Sequence, residues 1–140
     1  MAEVPYPCWT REQVALARAL RLHGRWRWGL RTWGVLPDGR EVKASSAAPS
    51  GFHGHPPELL PWLSHEDTAL HVRGLLVAAC EDVVAVGWSN GPDQEGLHWA
   101  SIKWGAYRKT WTALSHGEAV GLALLDRWLA MDRAEERRGG

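Results

Sequence analysis

His53 and His55 stand one residue apart in Gly-Phe-His-Gly-His-Pro. An HxH pair can bring two imidazoles onto one divalent cation. His65, His71 and Cys80 follow downstream and are the residue types that would complete such a site. A catalytic zinc needs three protein ligands and an open position, and no spacing here defines the third. His65 and His71 are six residues apart, whereas a zincin helix uses i, i+4. His53 and His55 are therefore the metal-ligand candidates, within a reading as a small metal-dependent enzyme.

A second constellation is Gly-Arg-Trp-Arg-Trp-Gly-Leu-Arg-Thr-Trp-Gly at residues 24–34. Arginines interleaved with indoles can stack bases and meet phosphates. The same alternation also describes a half-buried strand, with Trp26, Trp28 and Leu30 inward and the arginines solvated. Trp33 falls on the arginine side of that alternation. This makes Trp33, with Arg25, Arg27 and Arg31, the candidate recognition set, and the chain's one phenylalanine, Phe52, joins it.

Nucleophilic chemistry finds little support. Cys80 ends an expected helix and is followed by Glu81 and Asp82, and both carboxylates and a helix C-terminus raise a thiol pKa. Ser64 and Ser115 are accounted for as helix caps. No Ser/His/Asp arrangement, phosphate-cradling glycine loop or paired-carboxylate motif is evident. The chain is expected to be non-enzymatic and to need no cofactor.

The elements that must position these groups start from three similar signals. Thr10-Arg-Glu-Gln13, Ser64-His-Glu-Asp67 and Ser115-His-Gly-Glu118 each set a hydroxyl three residues before an acid or amide, the capping-box arrangement. They predict helices over 11–23, 65–80 and 116–134. In the first, the apolar face holds Leu16 and Leu20, and Arg11, Arg18, Arg21 and Arg25 take the opposite face. Between helices the period changes to two. Residues 25–31, 40–44, 83–88, 97–104 and 106–112 read as strands, broken by Pro37-Asp38-Gly39, Asn90-Gly91 and Gly105. The order α-β-β-α-β-β-β-α predicts an α+β fold, with three helices on one mainly antiparallel sheet of about five strands. A single domain over 1–132 and a charged, flexible tail over 133–140 are expected. Residues 45–60, rich in proline and glycine, read as a long loop.

Sixteen Lys/Arg balance sixteen Asp/Glu, which argues against a dedicated duplex-DNA binder. The charge is uneven: residues 1–50 carry eight basic and four acidic side chains, and residues 51–100 one and seven. Two cysteines, Cys8 and Cys80, make no disulfide framework. With no apolar leader and no spanning run, a cytoplasmic protein with no membrane partner is expected.

The layout also resembles a loose group of small phage and prophage proteins. The resemblance rests on Gly24-Arg-Trp-Arg-Trp-Gly-Leu30 after the first helix and Leu60-Pro-Trp-Leu-Ser-His-Glu-Asp-Thr-Ala-Leu70 leading into the second. Ser115-His-Gly-Glu-Ala-Val-Gly-Leu-Ala-Leu-Leu125 opens the last. It covers most of residues 10–130. The chain departs from the group where His65-Glu66-Asp67-Thr68 replaces Asp-Pro-Ala-Thr. The group brings no catalytic residues to carry over. What the resemblance implies is a protein that binds and modulates a host protein in the host cytoplasm. Ten tryptophans suit an aromatic protein-binding surface. The alternative partner is single-stranded nucleic acid on the Arg/Trp strand, and the third reading is the HxH metalloenzyme.

Overall fold

The computed structural model describes residues 6, 9–44, 56–80 and 85–139. Helix α1 spans Arg11–Leu22 and opens with a complete capping box: the Gln13 amide N–H donates to Thr10 Oγ1 at 3.1 Å, and the Thr10 N–H to Gln13 Oε1 at 2.7 Å. Strands β1 (Trp33–Val35) and β2 (Glu41–Lys43) form a hairpin, and β3 (Leu60–Pro61) pairs with the other edge of β1. Helix α2 covers Glu66–Ala79. Strands β4 (Ala85–Trp88), β5 (His98–Trp104) and β6 (Tyr107–Ala113) form a meander, and α3 runs from His116 to Gly139.

The class is α+β, as expected, but the single sheet of about five strands is not formed. Among the described residues there are two antiparallel sheets of three strands, ordered β2-β1-β3 and β4-β5-β6. Residues 25–31 do not form the expected strand. Trp26 and Trp28 are fully buried, but the backbone there makes only an isolated bridge at Arg27 and turns on either side of it: the Trp26 N–H donates to the His23 carbonyl and the Thr32 N–H to that of Gly29. Leu30 sits in the second of these turns and is 63% exposed rather than inward. The strand begins only at Trp33.

Helix α3 is the centre of the molecule. It packs on α1, α2, β5 and β6, and buries Ala119, Val120, Ala123, Leu124 and Trp128. It also continues beyond the expected end at residue 134, where Arg25 forms ion pairs with Asp132 and Glu135. His23 stacks on Trp128 at 4.8 Å and bonds Asp132 at 2.8 Å, and together with Arg25 it holds the Asp132 carboxyl below its usual range. Arg127 donates from α3 to the Ala79 carbonyl at 2.9 Å, placing a cation at the C-terminal end of α2. No described helix is long and apolar enough to cross a membrane.

One basic residue of α1 is not on the solvated face. Arg21 is 1% exposed. Its Nε donates to the Leu59 carbonyl and its Nη2 to that of Pro56, both at 3.1 Å, and its guanidinium lies 5.5 Å from the Trp28 ring centre. A planar fork of donors can satisfy several backbone acceptors at once, which a lysine ammonium cannot reproduce in the same geometry. Arg21 therefore ties α1 to the segment that feeds β3. Arg21→Met keeps the stem and strands those carbonyls. It is expected to lower stability by about 2–3 kcal/mol in urea unfolding, with Arg21→Lys recovering only part of the loss.

Candidate functional site

The residues singled out for recognition are not gathered into one surface. Arg25 is engaged by Asp132 and Glu135. Arg27 turns back onto the carbonyls of Gly24 and Trp26, at 3.3 and 3.0 Å. Trp33 is half-buried and tilted against His65 at 5.5 Å, with its backbone N–H held by Thr68 Oγ1 at 2.9 Å. Arg31 is exposed. Phe52, His53, His55 and Cys8 lie outside the described residues.

The other potential metal ligands are committed elsewhere. His65, not Ser64, caps α2, its Nδ1 accepting from the Asp67 N–H at 3.2 Å. Ser64 Oγ is taken by the Trp62 indole N–H at 2.8 Å. His71 Nε2 bonds the Arg27 carbonyl at 2.6 Å, which fixes the neutral ring as its Nε2–H tautomer, and burial pushes its pKa down. Cys80 is a buried free thiol whose pKa burial raises, with Arg127 acting weakly the other way. No group of three His, Cys, Asp or Glu among the described residues is arranged to hold a metal ion.

What the fold does bring together is a histidine pair. The junction between β6 and α3 is fixed by Ser115, whose Oγ accepts from the Glu118 N–H at 3.2 Å and donates to Glu118 Oε1 at 2.8 Å. Gln13 Nε2, from the cap of α1, reaches the same carboxylate oxygen at 3.2 Å. Gly117 then lies directly on the Leu63 carbonyl: a Cβ there would come within 1.7 Å of that oxygen. Only a residue without a side chain lets the start of α3 sit this close to the segment leading into α2. His116, the first residue of α3, is thereby set opposite His98, the first residue of β5. Their rings are 6.2 Å apart at 64°.

The two imidazoles line an open cleft of about 390 Å³, in the size range of small-ligand sites. Glu66, Leu70 and Arg73 of α2 form one wall, and Ser89, Asn90 and Leu114 complete it. Arg73 is positioned by Trp88, its guanidinium 4.8 Å from the ring centre. Leu70 and Leu114 are 46% and 71% exposed, so the walls carry apolar surface. His98 Nδ1 and His116 Nε2 are buried and have no hydrogen-bond partner among the described residues. Burial, then the charge of Arg73, then His98, push the His116 pKa below the usual histidine range. A second cleft of about 310 Å³, lined by Tyr6, Trp9, Val35, Glu41 and Trp62 among others, lacks such a convergence of ionisable groups.

Sequence reading passed over both histidines. His98 shares a strand face with Ala100 and Ile102, so it reads as part of an apolar alternation. His116 reads as the unremarked second position of a capping box. Eighteen residues separate them on different elements, and no linear spacing signals their meeting. Comparison with protein-family models, curated proteins and solved structures finds no match for the chain.

Two outcomes test this geometry. Gly117→Ala is expected to cost about 3 kcal/mol or more through overpacking, although alanine is the better helix former. Gly74→Ala, where a Cβ meets nothing within 4 Å, should instead stabilise α2 by about 1 kcal/mol. Urea midpoints of the two variants check the opposite signs. The second outcome concerns pH. His71 and His116 have folded pKa values below their unfolded ones. The unfolded chain therefore binds the protons more readily, and stability is lost as pH falls through about 6.5. The urea midpoint should drop between about pH 7.5 and about pH 5, and His116→Asn should flatten that drop.

Proposed function

We propose that the protein is a binding protein whose histidine cleft takes a small organic anion with a short apolar arm. The observation that carries this reading is the convergence of His98, His116 and Arg73 on one open cleft. The cleft calls for a negative charge to pair with Arg73 and for acceptors to meet imidazole N–H groups. A carboxylate or phosphate head group matches both needs. It pairs with a guanidinium and accepts from imidazole N–H groups.

Leu70 and Leu114 supply the apolar contact beside that head group. Glu66 lies seven residues before Arg73 on α2, which places it roughly 10 Å away along the same helix. It favours a ligand with a donor at the end remote from its anionic group. The charged and titratable groups at the cleft are thus Arg73, Glu66, His98 and His116. Binding an anion raises the pKa of a neighbouring histidine, so binding takes up protons and tightens as pH falls toward His116's own range.

The test is isothermal titration with a panel of small carboxylates and phosphate monoesters. At least one member is expected to bind, more tightly near pH 6 than near pH 8 by linkage. Arg73→Gln should weaken it about tenfold or more, the usual worth of a charged hydrogen bond, and His116→Asn should reduce the pH dependence, leaving only what His98 contributes. Circular dichroism of both variants verifies the fold. Absence of binding across the panel, or binding indifferent to both substitutions, would sink the proposal.

A further inference from the structure

The sheet β4-β5-β6 has two unlike faces. Strand register puts Val86, Trp88, Ala100, Ile102 and Trp111 on one side, where α3 packs and Ala100 and Ile102 are fully buried. The opposite side carries Gly87, Trp99, Ser101, Lys103, Arg108 and Thr110. Trp99 lies over Gly87, its six-membered ring atoms 3.6–3.7 Å from where a Cβ would stand, and remains 39% exposed. The Trp99 backbone N–H donates to Ser89 Oγ at 3.0 Å, which ties β5 to the residue after β4.

Among the described strand residues, the charge on this face is all of one sign. The three strands contain Lys103, Arg108 and Lys109 and no carboxylate. Lys109 projects to the helix side and pairs with Asp126 at 3.0 Å. Lys103 and Arg108 are direct cross-strand partners. Both are exposed, and neither makes an ion pair among the described residues. Like charges placed directly opposite each other destabilise a sheet. An anionic partner removes that repulsion. Trp99 and Lys103 lie on the same face four residues apart, roughly 13 Å along the strand. An aromatic platform, two cations and the exposed Thr110 hydroxyl on one surface fit a sugar-phosphate chain with accessible bases.

We propose that this open face binds single-stranded nucleic acid, with Trp99 stacking on a base and Lys103 and Arg108 meeting phosphates. The proposal is independent of the histidine cleft, which lies on the helix side of the sheet. Single-strand binding on residues 25–33 is the alternative reading of the sequence; an exposed indole and a pair of cations without an ion pair among the described residues stand here instead.

The experiment is fluorescence anisotropy of the full chain with a labelled oligothymidylate of about 12 nucleotides. Salt is varied from about 50 mM to about 200 mM. Binding is expected at low salt. Trp99→Ala should weaken it about 5- to 150-fold, the worth of one stacked base, and Trp99→Phe should restore most of it. The double variant Lys103→Gln/Arg108→Gln should flatten the slope of log K against log salt by about 1.4. All three positions are exposed, and circular dichroism confirms each variant's fold. No binding at low salt overturns the proposal. Equal binding of duplex DNA, or of polyglutamate without any effect of Trp99→Ala, also overturns it, the latter in favour of an acidic protein partner. Variants that bind as tightly as the parent chain do the same.

Discussion

The contact between the Leu63 carbonyl and the bare α-carbon of Gly117 sets where α3 sits, and most of the molecule follows from it. One turn later, Gly121 admits Leu20 and Leu16 of α1 to the same side of α3; a Cβ there would already be 3.2 Å from Leu20. Two glycines at i, i+4 thus let the chain before α2 and the flank of α1 approach one helix closely. With α3 seated, its opposite flank is free to cover β5 and β6, and the start of α3 meets the start of β5. The histidine cleft is a product of this arrangement, not of any local motif.

Buried or half-buried polar groups lock the pieces around that helix. Arg21 ties α1 to the segment before β3, Arg127 ties α3 to the end of α2, and Arg25 with His23 ties the chain after α1 to the far end of α3. Each is a link between elements distant in sequence. Arginine dominates these links because its fork can reach several acceptors at once. The result is that many of the chain's cations are structural. Lys103 and Arg108 instead face each other across β5 and β6 with no ion pair among the described residues.

The helices were legible because their N-termini carry local chemistry. A hydroxyl and an amide or acid three residues apart act within one turn, and no tertiary contact is needed to read them. Even there the prediction slipped by one residue at α2, because the Trp62 indole occupies Ser64 and leaves His65 to cap. Strands β4, β5 and β6 were legible from alternation and the glycine turns. The grouping of strands into two sheets was not, since alternation states which face is buried but not which strand lies alongside. Strand β3 is two residues long and includes Pro61, too short for any period. Residues 25–31 show the limit most plainly: Trp26 and Trp28 bury on alternate positions, but the backbone turns at both ends and forms no ladder. Trp26 instead packs edge-on against Trp28 and His71. The functional site was the least legible part. His98 and His116 are conventional residues of their own elements and acquire meaning only through the topology.

Gln13 holds a position whose consequence reaches beyond its helix. Its carbonyl oxygen closes the cap of α1, and its amide nitrogen bonds the carboxylate that closes the cap of α3. The first turns of two helices, 105 residues apart, therefore share one side chain. Opening either turn by local fluctuation removes a partner from the other, which couples the two starts. His116 stands at the second of them. The order of the cleft is thus set in part by whether the chain more than a hundred residues upstream has begun its first helix.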